Sequence, residues 1–149
     1  MRVAILSSEA LPFAKTGGLA DVSGALTKAL HAEAVDSLLI LPLYDQVDRG
    51  LLTGTYVEDL EVNWRGRKSQ VPVRISDALG APTYLIETPH YFSRKSIYGD
   101  SDDFERFAFY CRAAIALLQR IGDKPDIVHL NDWPCGFASV ELRARRRHE

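Results

Sequence analysis

Short unbroken apolar runs alternate with longer stretches at helical spacing through the first third of the chain. Residues 2–8 hold the run Val3-Ala4-Ile5-Leu6 without strict alternation, which predicts a parallel strand covered on both faces. Residues 18–32 place Leu19, Val22, Leu26 and Leu30 three or four apart, so a helix burying that stripe is expected, with Thr16 standing where it could cap. Residues 36–41 return to an apolar run and predict a second strand. A strand, helix and strand in this order cross over right-handed and give a parallel pair.

The texture then changes. Residues 56–63 and 70–75 alternate apolar and polar positions around Arg65-Gly66-Arg67-Lys68, the pattern of an antiparallel hairpin. Residues 82–87 predict a further strand, and residues 88–103 a long loop. Phe104 opens a helical pattern with Phe107, Ala108, Cys111, Ile115 and Leu118 on one face, and Gly122 ends it. Residues 126–130 predict a buried strand, Asn131 to Pro134 a loop at its C-terminal end, and residues 136–146 a last helix. The expected fold is α/β: one domain over residues 1–149, a mostly parallel sheet, and an antiparallel hairpin insertion.

Charge and composition narrow the function. The formal net charge is −2, which offers no electrostatic ground for a nucleic acid or an anionic membrane as partner. Arg143, Arg145, Arg146 and Arg147 form a local basic run that suits a solvated helix end. No apolar run approaches the roughly 20 residues of a membrane span, and the N-terminus lacks a signal-peptide layout, so a cytoplasmic protein is expected. Cys111 and Cys135 lie far apart in sequence and are expected to be free thiols. His31, His90, His129 and His148 are scattered, and no metal site is expected.

Ligands of parallel sheets bind outside the C-terminal ends of the strands. Two such ends carry unusual chemistry, and if their strands are neighbours the two loops face one crevice. After the first strand come Lys15, Gly17 and Gly18, ahead of a helix whose N-terminus favours anions. The glycines allow close backbone approach and the lysine supplies a point charge; a plain turn accounts for the spacing equally well. Asp21 either bonds a sugar hydroxyl or is an ordinary first-turn acid. Glu9 either meets a hydroxyl-rich ligand or is solvated. After residues 126–130 come Asp132 and Trp133, which fit sugar binding by carboxylate and indole face, or an Asx turn over a core tryptophan. His129 reads as a satisfied core histidine. Tyr91, Phe92 and Tyr98 either cover the site or pack locally, and Cys135 has no positioned base.

The string S-S-E-x-x-P-x-x-K-T-G-G-L-A-D-V at residues 7–22 resembles the opening of the bacterial glycogen synthase and plant starch synthase family. Leu41-Pro42-Leu43-Tyr44, Ile97-Tyr98-Gly99-Asp100, Glu105-Arg106-Phe107-Ala108 and Pro125-Asp126-Ile127-Val128-His129 with Asn131-Asp132-Trp133 agree in order and spacing. The resemblance implies the first of two Rossmann-like domains of a GT-B glycosyltransferase. It implies transfer of glucose from ADP-glucose to the non-reducing end of an α-1,4-glucan, with retention, no metal, and no cofactor beyond the substrate. At matching positions it implies that Lys15, Gly17 and Gly18 hold the donor phosphates and Asp21 orders that loop or the donor sugar. Asp132 is then the candidate catalytic residue, and Glu9, Trp133 and Tyr98 line the acceptor side. Two departures stand out: Pro134 where the family has His, and Ala32-Glu33-Ala34-Val35 where it has a glycine-containing turn. The resemblance also implies that the sugar-contacting His later in the first domain, and the whole second domain, lie beyond this chain. A fragment or truncated product, inactive alone, is therefore expected. The rival readings are a non-catalytic module binding nucleotide or glucan, and an unrelated flavodoxin-like binder.

Overall fold

The computed structural model describes residues 1–122 and 124–145. In chain order the elements are β1 (Arg2–Leu6), α1 (Gly18–Ala32), β2 (Asp36–Pro42), β3 (Gly54–Trp64), β4 (Arg67–Ser76), β5 (Thr83–Ile86), α2 (Pro89–Phe92), α3 (Asp103–Ile121), β6 (Ile127–Leu130) and α4 (Phe137–Arg145). Arg146, Arg147 and His148 lie outside the described residues.

Six strands form one sheet in the order β3-β4-β5-β2-β1-β6. β5, β2, β1 and β6 are mutually parallel, while β3 and β4 form the antiparallel hairpin and β4 joins β5 antiparallel. The hairpin turns on Arg65 and Gly66, both at positive φ, as a two-residue turn of this twist requires. The crossover through α1 runs from β1 to β2, and the one through α3 runs the other way, from β5 to β6. Right-handed crossovers in opposite directions put α1 and α3 on opposite faces of the sheet. Strand order therefore reverses between β1 and β6, which is where such sheets open a crevice at their C-terminal ends.

The two long helices bury different surfaces. α3 turns a broad face inward, including Phe107, Tyr110, Cys111, Ala114 and Leu118, and ends at Gly122 with φ 90°. Phe104, expected on that face, is 75% exposed; it stands in the first turn, beyond the sheet. α1 fully buries Ala20, Ser23, Gly24 and Thr27; of the expected stripe Leu26 and Leu30 pack half-buried against the core, Leu19 is half-buried, and Val22 is 58% exposed. Small residues face inward because α1 lies directly on the loop after β1: Leu11 N donates to Ala20 O at 3.0 Å. Thr16 does not cap α1. Gly17 holds the N-cap position without a side-chain bond.

At the other end of α1, Val35 N donates to Leu30 O at 2.9 Å and Ala34 N to His31 O at 3.0 Å. This double bond pattern places Ala34 at φ 56°, a conformation that glycine adopts without strain. Ala34 occupies the turn where the family resemblance expects glycine. Ala34→Gly is expected to stabilise the chain by about 1 kcal/mol, the left-handed penalty less the added unfolded-state freedom. Urea unfolding measures it.

β6 is not the buried strand expected from its apolar run. Among the described residues it is the edge of the sheet, paired only with β1, and Ile127 and His129 are exposed. His129 is therefore not a core histidine.

Candidate functional site

The loops after β1 and β6 meet at the point of strand reversal. Asn131 N donates to Leu6 O at 3.0 Å, continuing the β1–β6 register beyond the strands. The two loops therefore leave neighbouring parallel strands on the same side of the sheet's end.

Glu9 is buried, 3% exposed. Its Oε2 accepts the Thr16 N–H at 2.5 Å and the Gly17 N–H at 3.1 Å. Its Oε1 accepts the Tyr98 hydroxyl at 3.0 Å. Glu9 is thus neither solvated nor free to meet a ligand's hydroxyls with both oxygens; it braces the glycine turn from below. The Gly17 N–H is already engaged. By position, the amides of Gly18 and Leu19 in the first turn of α1 have no intrahelical acceptor.

The glycines themselves are informative. Neither Gly17 nor Gly18 has a positive φ, and a Cβ built on either meets nothing within 4 Å. Neither packing nor backbone geometry demands glycine at these two positions. What their small size preserves is open space beside Lys15. Lys15 Nζ pairs with Asp21 at 2.7 Å, and both side chains are about half exposed. An ion pair this exposed is weak and readily exchanged for another anion.

On the second loop, Asp132 lies at φ 62°, ψ −179°. That region belongs almost solely to glycine and costs a side-chain-bearing residue about 1–3 kcal/mol. Its carboxylate accepts the following Trp133 N–H at 2.7 Å. Trp133 is 47% exposed, so it is not a core tryptophan. It borders a largely apolar hollow with Phe104, Phe107, Pro134, Phe137 and Val140. Pro134 is buried at the start of a single 3-10 turn, where its missing N–H costs nothing, and its carbonyl accepts the Cys111 thiol at 3.2 Å.

Tyr98 links the two loops. Its hydroxyl bonds Ser8 at 2.7 Å and Glu9, and its ring lies 6.0 Å from that of Trp133. Tyr91 and Phe92 instead form α2 and pack into the core against Phe109, Tyr44 and Tyr110. The expected loop is thus divided: one tyrosine reaches the site, and the other two aromatics support the core.

Several supporting residues carry no motif-like signal. Tyr44 and Tyr110 are fully buried: the Tyr44 hydroxyl donates to the Ser8 carbonyl, and the Tyr110 hydroxyl shares its one proton between the Ile40 carbonyl at 2.7 Å and the Ser7 carbonyl at 3.0 Å. Arg106 is completely buried. It bonds Asp103 and the carbonyls of Tyr91 and Ile97, and lies over the Phe107 ring at 4.7 Å. Asp100, Asp102 and Asp103 bring three carboxylates together. Arg94 pairs with Asp100 and Asp102 and Arg106 with Asp103, two cations against three carboxylates, and Arg94 holds the Asp102 carboxyl below its usual range.

Burial raises the hydroxyl pKa of Tyr44, Tyr98 and Tyr110; at Tyr98 it acts together with Glu9 and outweighs the opposing Ser8 bond. The folded values exceed the ordinary value of 10.0, so the stability these groups contribute is complete below about pH 10. It is lost as pH climbs through the folded values. Alkaline unfolding above about pH 10 is expected, with the buried tyrosines ionising as the fold is lost, followed by circular dichroism and absorbance at 295 nm. Ionisation of all tyrosines near pH 10 with the fold intact would contradict it. Both cysteines are buried free thiols; burial pushes Cys111 up to about 12 and raises Cys135 as well. Neither is a nucleophile at neutral pH.

Comparison with known proteins shows the family. The family model described as starch synthase catalytic domain matches residues 2–149. The chain belongs to that family. Among its relatives, the glycogen synthase of Rhodopirellula baltica is 38% identical over 164 residues, covering 97% of this chain and 32% of that protein. The glycogen synthase of Geobacillus stearothermophilus is 38% identical over 152 residues, covering 100% and 31%. The catalytic domain of starch synthase IV from Arabidopsis thaliana, bound to ADP and acarbose, superposes with a TM-score of 0.86 at 34% identity, over 97% of this chain and 31% of that one. The chain thus spans about a third of the length of the relatives it matches, with the fold of a starch synthase catalytic domain over that span. Among the described residues, no helix is long and apolar enough to cross a membrane.

Proposed function

We propose that this chain carries one wall of the active site of an ADP-glucose-dependent glucan synthase, which adds glucose to the non-reducing end of an α-1,4-glucan with retention. The observation that carries the reading is the open space over Gly17 and Gly18, next to Lys15 in the chain and at the first turn of α1, with Tyr98 touching both Glu9 under that turn and Trp133 of the second loop. The relatives' names and the ADP and acarbose bound to the Arabidopsis thaliana enzyme support it.

In this reading the donor diphosphate settles on the Gly18 and Leu19 amides. Lys15 exchanges Asp21 for phosphate, and Asp21 then orders the loop or meets the donor sugar. Gly17 contributes clearance rather than its N–H. Trp133 stacks on the glucan, with Tyr98 and Glu9 behind it on the acceptor side. Asp132 places a carboxylate near the reacting carbon, where positive charge develops as the leaving diphosphate departs. ADP-glucose enters as a substrate; the reaction calls for no cofactor and no metal, and the cytoplasm is its compartment. The second reading is a non-catalytic nucleotide- or glucan-binding module.

The test is a chimera in which residues 1–149 replace the matching segment of the Geobacillus stearothermophilus glycogen synthase. It is expected to transfer glucose from ADP-glucose to glycogen. Lys15→Ala within it is expected to lower kcat/KM for ADP-glucose by about tenfold, equivalent to 1.4 kcal/mol, leaving the KM for glycogen unchanged. Unchanged donor kinetics would remove Lys15 from the site. A folded chimera that binds ADP without transferring glucose would favour the non-catalytic module.

A further inference from the structure

A line of buried polar side chains runs beneath the crevice from one loop to the other. Ser7 and Ser23 are fully buried and Asn131 is 8% exposed. Asn131 Nδ2 donates to Ser23 Oγ at 3.3 Å, and Ser23 Oγ lies 2.9 Å from Ser7 Oγ. Ser7 Oγ donates to Glu9 O at 2.8 Å. At the far end, His129 Nε2 lies 2.9 Å from Asn131 Oδ1.

The donors set one direction. The Asn131 amide nitrogen can only donate, so Ser23 accepts there, and because the Ser7 O–H is spent on Glu9 O, the Ser23 O–H donates to Ser7. Ser7 in turn donates to the Glu9 carbonyl, and the His129 ring donates from Nε2 to the Asn131 oxygen. The line crosses three elements, β6 to α1 to β1, and each bond polarises the next.

We propose that Asn131 is a positioning residue, which through Ser23 and Ser7 couples the glycine turn to the Asp132–Trp133 corner. Asp132, its immediate neighbour, holds a backbone conformation that persists only where the surroundings over-determine it. Asn131 supplies that constraint with both backbone and side chain, its N–H on Leu6 O and its amide on Ser23. At the other end Glu9, whose carbonyl terminates the line, holds the Thr16 and Gly17 amides with its carboxylate. A shift of the glycine turn is thereby felt at the Asp-Trp corner. The functional meaning rests on the reading above; the coupling does not, and it is tested without ligand.

The experiment compares amide shifts and hydrogen exchange, by NMR on the 149-residue chain, in wild type, Ser23→Ala, Asn131→Ala and the exposed control Val22→Ala. Ser23→Ala is expected to shift the Asp132 and Trp133 amides and speed their exchange by roughly tenfold, the scale of one lost buried hydrogen bond. Asn131→Ala is expected to act in reverse, on Glu9, Thr16 and Gly17. Val22→Ala should leave both ends unchanged, and Val73 and Leu85 in the core should stay still throughout. Silence at the far end in Ser23→Ala overturns the proposal. So does a change spread equally to Val73 and Leu85. Should Asn131→Ala fail to fold, Ser23→Ala alone decides.

Discussion

Arg106→Met is expected to cost the chain about 3–5 kcal/mol, the range for removing one partner of a buried charge pair. Arg106 is completely buried, and its guanidinium serves Asp103, the Tyr91 carbonyl and the Ile97 carbonyl at once. Methionine fills much of the volume but makes none of these bonds, so the Tyr91 and Ile97 carbonyls lose this donor and the half-buried Asp103 carboxylate loses its cation, keeping only the Gly99 and Asp100 N–H groups. Native stability is typically about 5–15 kcal/mol, so the urea midpoint should fall steeply. The effect should reach the site, because Ile97 precedes Tyr98, whose hydroxyl holds Glu9. The Thr16 and Gly17 amides are therefore expected to exchange faster in any folded fraction. A loss below about 1 kcal/mol would show that the arginine is a tolerated passenger.

The second large effect concerns Gly24. In an ordinary helix interior, Gly→Ala stabilises by about 1 kcal/mol. Here a Cβ would lie 2.5 Å from the Leu11 carbonyl oxygen and 3.4 Å from two further Leu11 backbone atoms. Backbone cannot yield as a side-chain tip does, so overpacking decides the sign and Gly24→Ala is expected to destabilise by about 1–3 kcal/mol. Gly18→Ala is the contrast: its Cβ meets nothing, and stability should hold or rise slightly. Urea unfolding of the two variants checks the pair, and a stabilised Gly24→Ala would refute the close approach of α1 to the loop that carries Lys15.

These two residues also show where the sequence stopped being legible. Element order could be read because periodicity, crossover chirality and glycine endings each act locally: α1 spans residues 18–32 as expected, and α3 stops at Gly122. Burial could not be read so well, because it depends on what lies opposite. An arginine between Glu105 and Phe107 looks solvated until α2 and the residues around Ile97 fold over it. The inward face of α1 looked like leucine, but where the loop presses against it the fully buried positions are Ala20, Ser23, Gly24 and Thr27, with Leu26 and Leu30 half-buried beside them. β6 looked buried because apolar content does not reveal an edge.

The candidate site was legible in its location and less so in its wiring. Its two loops follow from strand order, and the family resemblance named its residues. That Glu9 occupies the Thr16 and Gly17 amides depends on a turn geometry that spacing does not encode. The left-handed backbone of Asp132 leaves no trace in an Asn-Asp-Trp string either.

The most direct measurement is a titration of the 149-residue chain with ADP, followed amide by amide in a ¹H–¹⁵N correlation spectrum. The expected result is saturable movement centred on Lys15 to Leu19, weakened by Lys15→Ala and eased by raised salt, with the β3–β4 hairpin silent. Saturable movement centred on that hairpin or on α4, with the Lys15 turn unmoved, would contradict the account.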